Sequence, residues 1–437
     1  MKLKLTEQFN NIHSSLPRFR RLSKEAFWIV FGQTIAVVGS LVGVRLITGL
    51  LNPAEYGNLA LGMTLAILIN QLVFGPLSNG ITRFYAPSFE QGDLGGYLNA
   101  VRRLVSKATG ITLLILFLTI LFLIIFKRNE WIYIASASLI FAVLSGCNAI
   151  LSGIQNAARQ RSIVALHQGL ESWVRFLVAA GLLIWFGSYS SIAMVGYVIG
   201  GALILGSQYY FFRKIFIWER TNDEKVRNWQ EKIWKFSWPF ATMGIFTWPQ
   251  LASDRWALKL FNTAQDVGLY SVLYQLGYYP MLMGTGMVAQ FLAPIFYQRA
   301  GDATDIKRNA DVKKLIWRFA IFCIILTSVA VLIAFLFHTQ IFQIFANKKY
   351  IIVSHLLPWM LLSGGIFATG QILITNLMIH LKTQTMMIVK IITAIIGIVF
   401  NFVGAYLYGI TGIVIASVLF SSVYFIWMVF ISLYKVN

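Results

Sequence analysis

Charge is what this sequence holds least of: Asp, Glu, Lys and Arg together make up 12% of its 437 residues. Acid is the scarcer sign, with 16 Asp and Glu against 36 Lys and Arg. Cysteine is nearly missing. Cys147 and Cys323 are the two present, both inside apolar stretches, so they read as small core residues and exclude a disulfide framework. No His–Cys–carboxylate cluster stands at ligand spacing, and no glycine loop suited to cradling phosphate occurs outside an apolar stretch: Gly284-Thr285-Gly286 lies within one. No metal or cofactor is expected, and the chain has no room for the soluble nucleotide domain of an ATP-driven pump. What it has instead is 58% hydrophobic residues and a mean hydropathy of +0.70.

A bilayer core of roughly 30 Å is crossed by about 20 mostly apolar residues. About twelve such spans can be placed, near 27–50, 57–82, 104–126, 131–153, 164–186, 191–212, 236–260, 266–290, 317–337, 354–378, 386–408 and 410–434. The predicted fold is an all-α polytopic membrane protein. Lys and Arg gather at its start (residues 1–26), after span 6 (213–235) and after span 8, with smaller clusters after spans 2 and 4. The opposite loops hold only Lys127, Arg128, Lys259, Lys348 and Lys349. The positive-inside rule then puts both termini in the cytoplasm of a bacterium, with the chain in the inner membrane.

The formal charge of +20 therefore reads as topology and as contact with anionic membrane lipid, not as nucleic-acid binding. Residues 1–26, with Leu16, Phe19 and Leu22 beside Arg18, Arg20 and Arg21, read as an amphipathic cytoplasmic segment. They show no signal-peptide cleavage pattern, since a full-length span follows directly.

A repeat divides the rest. Arg45 is followed seven steps later by Asn52, a short acidic turn and Gly57; Arg255 is followed seven steps later by Asn262, a turn one residue longer and Gly268. The expected organisation is an N-lobe over 27–212, a basic cytoplasmic linker over 213–235 and a C-lobe over 236–437, each lobe with six spans. An even number of spans per lobe makes the repeat parallel, as in many secondary transporters.

Charges inside the spans concentrate on helices that this repeat relates. Arg45 falls in span 1, Arg83 ends span 2, Glu171 and Arg175 lie in span 5, Asp254, Arg255 and Lys259 in span 7, and Lys390 in span 11. Ionisable groups at membrane depth usually face a wet cavity or a partner, so these point to one shared, predominantly cationic cavity. His167, Glu171 and Arg175 are spaced by four and share a helical face. Two readings stand for them. Arg175 could grip an anionic head group while Glu171 and His167 exchange a proton or cation; alternatively Glu171 and Arg175 neutralise each other and His167 is structural. Arg45, Arg255 and Lys390 also lie near span ends, where snorkelling is the competing explanation. Gly75-Pro76, Pro239, Pro249 and Pro280 mark spans 2, 7 and 8 as interrupted. Gln33, Asn70, Gln71, Asn79, Gln250, Gln275 and Asn401 supply amides compatible with a sugar.

Three segments carry a family likeness: Leu50-Leu51-Asn52-Pro53-Ala54-Glu55-Tyr56-Gly57; Ser253-Asp254-Arg255 leading to Val267-Gly268-Leu269-Tyr270; and Asn401 followed by Tyr408-Gly409-Ile410-Thr411-Gly412. In their order and spacing the chain resembles the O-antigen-type polysaccharide flippases of the multidrug, oligosaccharidyl-lipid and polysaccharide (MOP) exporter superfamily. The resemblance implies two six-helix lobes in a V, a cationic cavity lined by helices 1, 2, 7 and 8, and Arg45, Arg83, Asp254 and Arg255 as cavity residues. It implies movement of undecaprenyl-diphosphate-linked oligosaccharide from the cytoplasmic to the periplasmic leaflet, as in lipopolysaccharide assembly, with other polysaccharide assembly proteins as partners. No catalytic role is expected of any residue. The alternatives are a drug or cation exporter of the same superfamily, which would call for an acidic cavity, and a membrane polymerase or ligase, which would call for larger periplasmic loops.

Overall fold

A computed structural model describes residues 27–28, 30–216, 222–300, 305–379 and 383–434. The expected amphipathic segment 1–26 lies outside the described residues. Thirteen α-helices follow one another: α1 (Val30–Leu50), α2 (Pro53–Ile69), α3 (Gly75–Glu90), α4 (Leu94–Ile125), α5 (Ile132–Ala157), α6 (Arg161–Phe186), α7 (Ser190–Ile215), α8 (Asp223–Phe261), α9 (Ala264–Leu276), α10 (Tyr278–Ala300), α11 (Ile306–Phe345), α12 (Leu357–Ile379) and α13 (Thr383–Tyr434). No strand occurs among the described residues. Nine helical stretches among them are long and apolar enough to cross a membrane. Of the expected twelve spans, the seventh, α8, falls short of that apolarity because it carries polar and aromatic side chains, and the eighth is divided between the 13-residue α9 and α10. Two more form the single long helix α13, which turns at Gly409 (φ 55°, ψ −130°). That region of backbone space is open to glycine and closed to other residues.

Two breaks inside spans fall near expected prolines but not on them, and a third, at Phe337 in α11, has no proline beside it. α2 and α3 are joined through a π-helical turn, Asn70–Phe74, in which the Gly75 N–H donates to the Asn70 carbonyl five residues back. Pro76 has no N–H to offer the regular ladder, and the widened turn absorbs the mismatch. Between α9 and α10 the chain bends at Gly277, three residues before Pro280, which then sits in a first turn where a missing N–H costs nothing. Pro239 and Pro249 are carried within α8. The expected linker 213–235 is helical in its second half, because α8 begins at Asp223 and runs on through residue 236.

The repeat fixes how the lobes meet. Asn52 caps α2, its side chain accepting from the Glu55 N–H at 2.9 Å. In the second copy the cap is Thr263, in a reciprocal capping box with Asp266, and Asn262 is the inserted residue. Gly57 and Gly268 therefore stand at the same distance from their caps. A Cβ on Gly57 would fall on the Ala264 carbonyl oxygen, and one on Gly268 on that of Pro53. The starts of α2 and α9 cross backbone to backbone about a pseudo-twofold axis. Around this crossing one hydrophobic core spans both lobes, including Leu51, Tyr56, Val267 and Tyr350. A second, smaller core around Phe296, Ile316 and Tyr424 belongs to the C-lobe.

Candidate functional site

Beneath that crossing lies a cavity of about 240 Å³ to which both lobes contribute. α2 supplies Tyr56 and Thr64, α6 supplies Arg175, α7 Tyr197, α8 Arg255, and α9 Tyr274 and Gln275. Two guanidinium groups line it and, among the described residues, no carboxylate does. Arg255 is 9% exposed. Its Nη1 donates to the Leu251 carbonyl at 3.0 Å, and its guanidinium lies 4.6 Å from the centre of the Tyr274 ring. The Arg175 guanidinium lies 5.1 Å from the Tyr197 ring, and its buried Nε has no hydrogen-bond partner.

Asp254 turns the other way. Its Oδ1 accepts from the Arg255 N–H at 2.7 Å and its Oδ2 from the Tyr270 hydroxyl at 2.8 Å. The Arg255 Nη1 also donates to Asp254 Oδ1 at 3.5 Å, a buried ion pair between neighbours in sequence, whereas Arg175 has no such carboxylate partner among the described residues. Asp254 lines a separate 60 Å³ cavity inside the C-lobe with Gln250, Tyr270 and Asn401, whose Nδ2 donates to Ser253 Oγ at 2.8 Å.

The other candidates are dispersed. On α6, Glu171 accepts from Asn148 Nδ2 at 3.2 Å and makes no ion pair with Arg175. His167 is 1% exposed; its Nδ1 donates to the Ile163 carbonyl at 2.8 Å and its Nε2 lies 3.1 Å from Ser207 Oγ. The shared face of these three residues is therefore directed at α5 and α7, and only Arg175 reaches the cavity between lobes. Arg45 is exposed and donates to the Ala346 carbonyl at the end of α11. Beside it, Thr48 Oγ1 accepts from the Asn347 N–H at 3.2 Å, so α1 of one lobe caps an α11 terminus of the other. Arg83 is exposed on α3, four residues from Asn79, on a face clear of the Gly80 contact with α8 and the Thr82 contact with Gly153. Lys390 is half-buried on α13. Arg45, Arg83 and Lys390 line neither cavity.

Sequence reading missed the tyrosines. Tyr270, Tyr274 and Tyr278 recur at spacing four along α9 and α10, with Tyr274 and Tyr278 stacked 5.0 Å apart. Tyr56 donates to Gln275 Oε1 at 2.8 Å, across the lobes. The spacing was visible, but a stripe of aromatics in a span reads first as lipid-facing or core. Leading away from the cavity through Ser40, Gln275 and Tyr279, a further 280 Å³ opening between α1 and α10 is lined largely by Val37, Val38, Leu41, Met283 and Met287.

A family model described as polysaccharide biosynthesis protein matches residues 22–299. The chain belongs to that family. No curated protein matches the sequence significantly. Among solved structures it is similar to the lipid II flippase MurJ in an inward closed conformation, with 14% identity, TM-score 0.67, and 92% of this chain and 85% of that one covered. It is also similar to an inward-facing multidrug resistance MATE family transporter of the MOP superfamily: 14% identity, TM-score 0.57, 94% and 97% covered. A third is a MOP superfamily transporter from Pyrococcus furiosus described as having a binding pocket of reverse polarity (14%, 0.56, 94% and 94%). The family member thus has the two-lobed fold of these transporters, which the sequence repeat and the family resemblance had led us to expect.

Proposed function

We propose that this polysaccharide biosynthesis family protein is a flippase for undecaprenyl-diphosphate-linked oligosaccharide, with the diphosphate held between Arg175 and Arg255. The observation that carries the reading is the inter-lobe cavity itself: two guanidinium groups, an unpaired Arg175 N–H and no facing carboxylate. Arginine's planar fork suits phosphate oxygens better than any other side chain. Gln275 and the tyrosines offer hydroxyl, amide and ring surfaces for a sugar, and the apolar opening between α1 and α10 lets a polyprenyl tail stay in lipid. An exporter of cationic drugs would want the opposite charge in this place. Loop charges support a bacterial inner membrane with both termini cytoplasmic, so the α2–α9 crossing is the closed periplasmic end. Glu171, the N-lobe carboxylate one turn from Arg175, is the coupling candidate; His167, satisfied at both ring nitrogens, serves packing.

The test is a leaflet assay in cells lacking the protein, with lipid-linked repeat units probed by a membrane-impermeant glycosidase. Units trapped on the cytoplasmic side, released by wild type and not by Arg175→Ala or Arg255→Ala, are expected. Units that still reach the periplasm without the protein would overturn the assignment.

A further inference from the structure

The largest cavity described, about 650 Å³, belongs to neither the inter-lobe site nor its opening. It is a groove walled by α3 and α4 of the N-lobe and by the start of α8, the first helix of the C-lobe. Its two ends differ chemically. Along α8, Arg227 and Gln230 come first and Trp234 and Trp238 follow; α4 faces them with Lys107 and then Ile111, and Leu72 and Leu77 complete the apolar wall. On α8 the groove extends from Arg227 to Ala241, about 21 Å at 1.5 Å per residue. It therefore straddles the point where α8 changes from charged to apolar. Trp234 and Trp238 are 58% and 51% exposed there, the place tryptophan takes at a membrane–water boundary.

Positive charge outweighs negative around the groove. Glu231, its sole carboxylate among the described residues, is held by Lys235 at 2.8 Å. That ammonium, with Arg227 contributing less, keeps the Glu231 carboxyl below the ordinary carboxylate range. Lys107 and Arg227 have no ion-pair partner among the described residues. Gln230 Nε2 is buried with no acceptor. Two cations and an unpaired amide N–H at the head of a long apolar trough describe the complement of one molecule type, an anionic amphiphile.

We infer that this groove is a binding site for a single anionic phospholipid, its headgroup phosphate between Lys107, Arg227 and Gln230 and one acyl chain lying along Trp234 and Trp238. The walls come from both lobes and are already tied by the Arg103–Asp223 ion pair and the Trp229 Nε1–Asp93 hydrogen bond of 2.9 Å. A lipid seated here adds a third tie and favours the arrangement in which α4 and α8 touch.

The whole protein, purified in neutral detergent, is titrated with phosphatidylglycerol or phosphatidylcholine, and retained lipid is counted by native mass spectrometry. One phosphatidylglycerol should be retained in preference to phosphatidylcholine. Lys107→Gln with Arg227→Gln should weaken that retention about thirtyfold, the effect of two juxtamembrane cations facing anionic lipid. Ala241→Trp, which fills the trough, should abolish it, while Arg213→Gln with Lys214→Gln, equal in charge and outside the groove, should leave it intact. Equal retention of both lipids, an unaffected Lys107/Arg227 variant, or loss in the Arg213/Lys214 control would overturn the site. So would retention of undecaprenyl phosphate alone, which would give the groove to a polyprenyl chain. Because the readout is lipid retention, it stands or falls separately from glycan transport.

Discussion

At the scale of single residues, charge and geometry separate the groups that share a helix. Arg175→Ala removes an unpaired fork from the cavity and is expected to reduce glycan translocation by about two orders of magnitude, the usual worth of a charge-assisted contact of roughly 2–3 kcal/mol. Arg175→Lys keeps the charge but not the fork and should recover only part of it in the same leaflet assay. Glu171→Gln should flatten the pH dependence of transport, whereas His167→Gln should leave it as in wild type; an unchanged profile in both would remove Glu171 from the coupling role. The sequence put all three on one face, and the helix period was right. Which of the three reached the cavity was not readable, because that depends on where α5 and α7 pack, and packing partners of a helix leave no mark in its own periodicity. The pairing of Arg45 with the Ala346 carbonyl was hidden for the same reason: its partner is a backbone atom three hundred residues away, and backbone has no sequence signature.

At the scale of elements, caps and turns were the most legible. The Asn52 and Thr263 turns were visible as a repeat, though only the structure shows Thr263, not Asn262, to be the second cap. Asn52→Ala should lower the melting temperature of the purified protein by the equivalent of about 1 kcal/mol. Gly409→Ala should cost more, on the order of 1–3 kcal/mol, since no other residue adopts that backbone without strain. Prolines signalled interruptions in spans 2 and 8, displaced by a few residues, but not in span 7, where α8 carries Pro239 and Pro249 without a break. The ladder yields where its widened or broken turn is cheapest, at Asn70–Phe74 and Gly277, and not at the ring itself. Span 7 was placed by length and hydropathy, yet α8 is the least apolar of the long helices because it begins in a charged segment and its inward face helps build the site.

At the scale of the whole molecule, the lobes meet in two places: where α1, α2 and α9 approach the end of α11, and where α3 and α4 pack on α8. Thr48→Cys with Asn347→Cys, a pair brought together by the 3.2 Å hydrogen bond from the Asn347 N–H to Thr48 Oγ1, should cross-link under mild oxidation and stop translocation. Reductant should restore it, with Cys147 and Cys323 remaining free in both states. A cross-link that leaves transport at wild-type rate would mean that these two ends never part. A two-lobed plan could be read from one repeated motif; the charge content of the cavity could be read in sign but not in membership.

The Gly57–Gly268 crossing has a consequence for descent. Each glycine leaves room for a carbonyl belonging to the other copy of the repeat, so neither position can enlarge alone. Two columns far apart in an alignment are thus bound into one hereditary unit. Across relatives they should covary, both staying minimal or both changing together with the pitch at which the lobes cross. A lineage that lost one glycine and kept everything else would have lost the joint between its ancestral halves.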